Sequence, residues 1–218
     1  DLSLALAARV NADIVIANDP DADRCAAAIY DPKFGWRMLS GDEIGAILGH
    51  YIATRFRSSC DNQAFGNSIV SSSILGKIAK KHGIEFHETL TGFKWLAKIP
   101  NLRFGYEEAI GYAVDSETVN DKDGISAAIF LAQVAVDLKR DGLTISDLLN
   151  EVWARHGFHG TEQISIRVAD MSAITRLLAG LRQNPPKEIA GHTVESIDDL
   201  AAPTDGLPPT DGLRIWLA

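Results

Sequence analysis

A chain of 218 residues and 23.6 kDa can bury a core without disulfides or a structural metal. With 46% hydrophobic residues, 23% charged residues and a mean hydropathy near zero, it is neither disordered, collagenous nor coiled coil. The 21 Lys and Arg against 29 Asp and Glu give a net charge of -8, and no basic cluster is dense enough to track a phosphate backbone, so nucleic acid is excluded as an expected partner. Cys25 and Cys60 form no C-x-x-C pair, which argues against a zinc site or disulfide framework and for a reducing, cytoplasmic setting. No apolar run approaches the ~18 residues of a membrane helix, so no membrane partner is expected.

In chain order, Leu2, Leu4, Leu6, Ala7 and Val10 mark an opening helix. The run Ile14 to Ala17 is too short for a helix and predicts a buried strand of a parallel sheet. Residues Ala26 to Tyr30 and Trp36 to Leu39 predict a hairpin across Asp31 to Gly35. A helix follows over Ile44 to Arg57, with a cap at Ser40 and Asp42 and Glu43 in its first turn.

Next come a strand at Ser68 to Ser71, a helix over Ile74 to His82 stopped by Gly83, a strand at Ile84 to His87, a helix from Phe93 to Lys98 and a strand at Leu102 to Tyr106. An almost wholly apolar helix, expected to be buried, covers Ile125 to Leu138, with acidic residues before it and Lys139 and Arg140 at its end, as the helix dipole favours. Beyond Thr161 the alternation of Gln163 to Val168 predicts a half-exposed strand, Met171 to Leu181 predicts an amphipathic helix, and a loop holding Pro203, Pro208 and Pro209 follows. The chain starts at Asp1 rather than Met and ends within the strand-like Leu213 to Ala218, so it is expected to be a piece of a longer protein.

Asp19, Asp21 and Asp23 follow the first strand at i, i+2 and i+4, a spacing that sends three carboxylates to one side of an extended or looped backbone. Three like charges call for a cation, and oxygen ligands select Mg²⁺ or Ca²⁺ over zinc. An EF-hand starting at Asp19 needs Gly at its sixth position and Glu at its twelfth; Arg24 and Tyr30 stand there, which excludes it. Mg²⁺ keeps positions open for phosphate, and Arg24 supplies a planar cation suited to the same group, which together describe a phosphoryl-transfer site.

Elsewhere, Glu107 and Glu108 follow a strand, so their side chains point to opposite faces and cannot act as a facing acid/base pair; either could accept hydrogen bonds from sugar hydroxyls. Lys122 stands before a helix N-terminus, where an anion is favoured. Ser71, Ser72 and Ser73 fit a capped strand-to-helix turn, and His156 and His159 fit surface or packing roles.

The segment Asp19-Pro20-Asp21-Ala22-Asp23-Arg24 resembles the metal-binding loop of the α-D-phosphohexomutase superfamily, the phosphoglucomutases and phosphomannomutases. Thr91-Gly92-Phe93-Lys94-Trp95 is similar to its Thr-Gly loop, Tyr106-Glu107-Glu108-Ala109-Ile110-Gly111 to its sugar-recognition loop, and Asp121-Lys122-Asp123-Gly124 to its Lys-Asp-Gly turn, in the same order. The resemblance implies an α/β fold with mixed-sheet domains: residues 1–40 close a second domain that carries the metal loop, 41–155 form a complete third, and 156–218 begin an α+β fourth.

It also implies Mg²⁺ on Asp19, Asp21 and Asp23, catalytic roles for Arg24 and Lys122, and substrate contacts at Thr91, Gly92, Lys94, Glu107 and Ala109. Many members have Ser where this chain has Ala109. The implied reaction interconverts hexose 1- and 6-phosphates through a bisphosphate, with a hexose or pentose phosphate as substrate and the missing domains of the same polypeptide as partners. No Thr-Ala-Ser-His-Asn-Pro type segment and no Arg-x-Ser-Gly-Thr-Glu-Pro type loop occurs in the 218 residues, so the chain alone is expected to be inactive. A haloacid-dehalogenase-type Mg²⁺ phosphatase and a non-catalytic sugar-phosphate binding module are the competing readings.

Overall fold

The computed structural model describes residues 2–56, 62–202 and 206–218. It forms two compact units, Asp1–Thr161 and Glu162–Ala218. The expected helix end at Arg57, Cys60 and Pro203 lie outside the described residues.

The first unit opens with helix α1 (Leu2–Val10) and an antiparallel sheet of β1 (Val15–Asn18), β2 (Cys25–Asp31) and β3 (Gly35–Met38) in that order. This corrects the parallel, buried strand expected at Ile14 to Ala17: β1 pairs antiparallel with β2, Val15 opposite Ala28, and is only partly buried. An apolar run signals a strand but not the direction of its partner.

Helix α2 (Gly41–Arg55) follows. Ser40 and Glu43 close a capping box in which each side chain accepts from the other's backbone N–H, and Arg37 grips both oxygens of Glu43 at 2.9 Å. Ile44, Ile47, Leu48 and Ile52 of α2 are fully buried, each contributing roughly 1.5–3 kcal/mol. Gly45 lets the helix approach the Tyr106 ring, since a Cβ there would lie 2.6 Å from it.

The second sheet runs β5 (Glu85–Thr89), β4 (Ala64–Ser68), β6 (Leu102–Glu107) and β7 (Gly111–Ala113); β4 pairs parallel with β5 and β6, and β6 antiparallel with β7, so the sheet is mixed, as expected. The expected strand at Ser68 to Ser71 is displaced to β4. Gly66 in β4 weakens the strand pattern but admits Ile99, whose Cδ1 would stand 2.4 Å from an added Cβ.

Helix α3 (Ile74–His82) stops at Gly83, which takes the left-handed conformation. The serine turn before it is not capped by Ser73; Ser72 Oγ instead accepts the Ile74 N–H at 3.3 Å. The short α4 (Phe93–Leu96) precedes β6, and α5 (Gly124–Arg140) and α6 (Ile145–His156) close the unit. The sequence reading missed α6 and β7. Helix α5 is not buried all round: Ala127, Leu131 and Val134 face the core, whereas Ile125, Ile129 and Val136 are exposed.

The second unit holds α7 (Ser172–Gln183) and an antiparallel sheet, β10 (Leu213–Leu217), β9 (His192–Asp199) and β8 (Glu188–Ile189). Arg182 bridges Asp199 at 2.9 Å and Asp211 at 2.8 Å. Residues 163–168 form no strand and are exposed, correcting the expectation from their alternation; a period of two makes a strand only where a partner supplies ladder hydrogen bonds. Among the described residues no helix is long and apolar enough to cross a membrane.

Candidate metal and sugar site

The loop between β1 and β2 carries the three aspartates. One oxygen from each of Asp19, Asp21 and Asp23 lies within 4.8 Å of the others. Three devices fold the loop: Asn18 Nδ2 donates to the Arg24 carbonyl at 2.7 Å, the Ala22 N–H donates to the Asp19 carbonyl at 3.0 Å, and Ala22 adopts φ 56°. Sequence reasoning passed over Asn18, although an Asn at the mouth of a turn is the residue type that bonds neighbouring backbone.

Arg24 faces back onto the triplet. Its backbone N–H donates to Asp19 Oδ1 at 3.1 Å and its Nε to Asp19 Oδ2 at 2.6 Å, with Asp23 at 3.5 Å. Desolvation pushes the Asp19 carboxyl up, but the hydrogen bonds and charge of Arg24 outweigh it and hold the group below its ordinary value. Asp23 Oδ1 is buried and has no hydrogen-bond partner. Three converging carboxylates, one with a buried oxygen that accepts no hydrogen bond and meets only Arg24 at 3.5 Å, fit a hard divalent cation.

Helix α5 closes the site from the other side. Asp123 caps it, accepting from Ile125 at 3.3 Å and Ser126 at 3.0 Å. Gly124 donates its N–H to the Ala22 carbonyl at 3.0 Å, and a Cβ on Gly124 would fall 2.3 Å from the Arg24 carbonyl and 2.5 Å from Asn18 Nδ2. That contact, invisible in the sequence, requires a glycine at the junction. Lys122 Nζ reaches Asp23 Oδ2 at 2.5 Å, and the bond raises its pKa above the usual lysine value, keeping it cationic at neutral pH.

Of the remaining predicted residues, Glu107 and Gly92 are brought together. Glu107 Oε1 accepts the Gly92 N–H, tying the Thr-Gly loop to the end of β6. Burial raises the Glu107 pKa above the ordinary carboxylate value, with the Gly92 bond opposing it. Ile110, next to the exposed Ala109, gives its carbonyl to the Cys25 N–H at 3.0 Å, linking the β6–β7 turn to the strand leaving the aspartate loop. Thr91 and Lys94 are exposed; Lys94 Nζ stands 5.5 Å from the centre of the Trp95 ring. Glu108 points away from Glu107, onto Ser68 and Ser71.

A mixed α/β layer with an aspartate loop bonded to the head of α5 defines the class. A sequence signature described as "Phosphoglucomutase/phosphomannomutase, alpha/beta/alpha domain III" matches residues 40–156. The chain belongs to the phosphoglucomutase/phosphomannomutase family.

A Haemophilus influenzae protein named "Probable phosphomannomutase" is 46% identical over 199 residues, covering 91% of this chain and 41% of that protein. Human phosphopentomutase is 38% identical over 227 residues, covering 95% of this chain and 37% of its own length. The crystal structure of a phosphoglucomutase/phosphomannomutase family protein from Burkholderia thailandensis superposes with a TM-score of 0.63 at 16% identity, over 97% of this chain and 39% of that one. The chain thus spans about two fifths of the length of the curated relatives it matches.

Proposed function

We propose that these residues supply the metal and sugar sites of a Mg²⁺-dependent intramolecular phosphotransferase that interconverts hexose 1-phosphate and hexose 6-phosphate through a bisphosphate. The observation that carries this reading is the junction of the metal loop with the head of α5, through Lys122 on Asp23 and Gly124 on Ala22, beside the β6–β7 turn that bears Glu107. A cation loop set beside a hydroxyl-accepting carboxylate suits a phosphorylated sugar better than either half alone.

Asp19, Asp21 and Asp23 hold Mg²⁺. When bound, the ion neutralises charge that builds on a transferring phosphoryl group. Arg24 and Lys122 bring cations to the phosphate oxygens, which is positioning and electrostatics rather than covalent work. Glu107 keeps one oxygen on the Gly92 amide and offers the other to sugar hydroxyls, with Thr91, Lys94 and Ala109 on the surrounding loops. In the longer polypeptide residues 1–40 close a second domain, 41–155 form the third and 156–218 begin a fourth. The name of the human relative keeps a pentose phosphate as the second candidate substrate. A phosphoryl-carrying serine and a terminal phosphate clamp come from outside the 218 residues, so these alone turn over no substrate.

Calorimetric titration tests the site. Mg²⁺ binds the unsubstituted chain, and Asp21→Asn weakens binding by about tenfold or more, as removing one of three hard ligands requires. Equal affinity in both proteins would overturn the metal assignment. Turnover of glucose 1-phosphate by the isolated chain in a coupled assay would overturn the expectation that it is inactive alone.

A further inference from the structure

The β6–β7 connection is a three-residue turn, Glu108 to Ile110, closed by the pairing of Glu107 with Gly111. Its last residue, Ile110, sits at φ 59°, a conformation that costs a β-branched side chain energy and persists only where the surroundings impose it. Several contacts do so. The Glu108 N–H donates to Ser71 Oγ at 3.1 Å, and Glu108 Oε2 accepts from Ser68 Oγ at 3.0 Å and Ser71 Oγ at 3.2 Å, the two hydroxyls themselves lying 2.8 Å apart. Gly41 presses on the Glu108 carbonyl so closely that a Cβ would stand 1.9 Å from it, and Cys25 holds the Ile110 carbonyl.

Ser68 ends β4 and Ser71 lies in the turn before α3, so the brace anchors the turn to the parallel part of the sheet. The carboxylate one residue earlier, Glu107, points the other way and meets Gly92. We infer that Ser71 and Glu108 are positioning residues, pinning one face of the strained turn so that Glu107 on the opposite face keeps its carboxylate on the Gly92 amide. The purpose of that orientation rests on the reading that Glu107 meets the sugar; the brace itself rests on the hydrogen bonds above. Neither Ser71 nor Glu108 need touch substrate.

Amide hydrogen exchange read at Gly92 tests the brace without any activity. Ser71→Ala and, as a second variant, Glu108→Ala speed Gly92 exchange about tenfold, the loss of roughly one net hydrogen bond. Ser71→Thr, which keeps the hydroxyl, leaves it unchanged, and the amides of β4 keep their protection in all three. Unchanged Gly92 exchange in both alanine variants would overturn the inference. So would uniform acceleration across β4 and β6, which marks a role in stability only.

The sugar reading fails separately. If glucose 1-phosphate with Mg²⁺ leaves Gly92 exchange untouched in the unsubstituted chain, Glu107 does not meet the sugar, and the brace is judged on the exchange of the alanine variants alone.

Discussion

Lys122 Nζ stands 2.5 Å from Oδ2 of Asp23, so the turn that opens α5 neutralises the last carboxylate of the aspartate loop. Arg24 does the same for the first, at 2.6 Å from Asp19. The first and last aspartates of the triplet are therefore each paired with a cation. On the Mg²⁺ reading proposed above, a divalent ion would compete with the two side chains for one set of oxygens.

That competition gives a prediction with a sign. Lys122→Met removes a partly exposed cation from Asp23, and Mg²⁺ binding to the chain tightens by about two- to fivefold, the scale of one such ion pair. Isothermal titration reads it directly. Weaker or unchanged Mg²⁺ binding would show that Lys122 does not contend with the ion.

The glycine at the junction makes a second prediction. Gly124→Ala drives a methyl into the Arg24 and Ala22 carbonyls and Asn18, at 2.3, 2.7 and 2.5 Å, two of them backbone atoms that cannot swing aside. The loop and α5 must separate, which destabilises the first unit by roughly 2 kcal/mol or more and weakens Mg²⁺ binding together with it. Gly180→Ala, in α7 with nothing within 4 Å of the added methyl, is the matched control and stabilises by roughly 0.5–1 kcal/mol. Chemical unfolding of both variants checks the contrast; a neutral Gly124→Ala would mean that the junction yields.

These glycines show where sequence reading stops. The run Ile74 to His82 with Gly83 after it names a helix and its end because the signals are local: apolar spacing and a residue that accepts positive φ. The aspartate spacing likewise predicts three carboxylates on one side of a loop within five residues, and their oxygens converge within 4.8 Å. By contrast, Gly124 is required by atoms about a hundred positions away in the chain, and the Ser71–Glu108 brace spans 37 residues, so neither leaves a local trace. The antiparallel pairing of β1 and the absent strand at 163–168 fail for a related reason, since a strand's partner is a tertiary fact. Helix α6 was legible and passed over: Ile145, Leu148, Leu149 and Val152 stand at i, i+3, i+4 and i+7 behind the Thr144 cap.

The capping box at the start of α2 is strong enough to measure. Ser40→Ala removes the acceptor of the Glu43 N–H, while the backbone N–H at position 40 that the Glu43 side chain bonds at 2.8 Å stays in place. A loss of about 1 kcal/mol is expected from urea midpoints. A shift indistinguishable from zero would mean that Arg37, bonded to both Glu43 oxygens, holds the helix start without the cap.

The buried histidines set the pH response. His50, 4% exposed in α2, lies with its ring centre 5.9 Å from that of His156 and 6.3 Å from that of His82, and its Nδ1 is buried without a hydrogen-bond partner. Burial, then the charges of His156, Arg155 and His82, pull its pKa from 6.5 down to about 4. The folded chain therefore refuses a proton that the unfolded chain accepts, and stability is complete above the unfolded pKa and falls as pH drops from 6.5 toward 4. By linkage the loss reaches about 2 kcal/mol at about pH 5. His156, also depressed chiefly by burial, adds to it with the same sign. The depressed aspartates Asp19 and Asp137 lose their contribution below their unfolded value of 3.8, and Glu107, whose carboxyl burial raises, works with the opposite sign above it, so the histidine share is read from the difference between parent and variant. Urea unfolding of the chain and of His50→Leu at about pH 8 and about pH 5 separates them: the parent loses stability across the interval and the variant loses distinctly less. Equal losses in the two proteins would place the proton elsewhere.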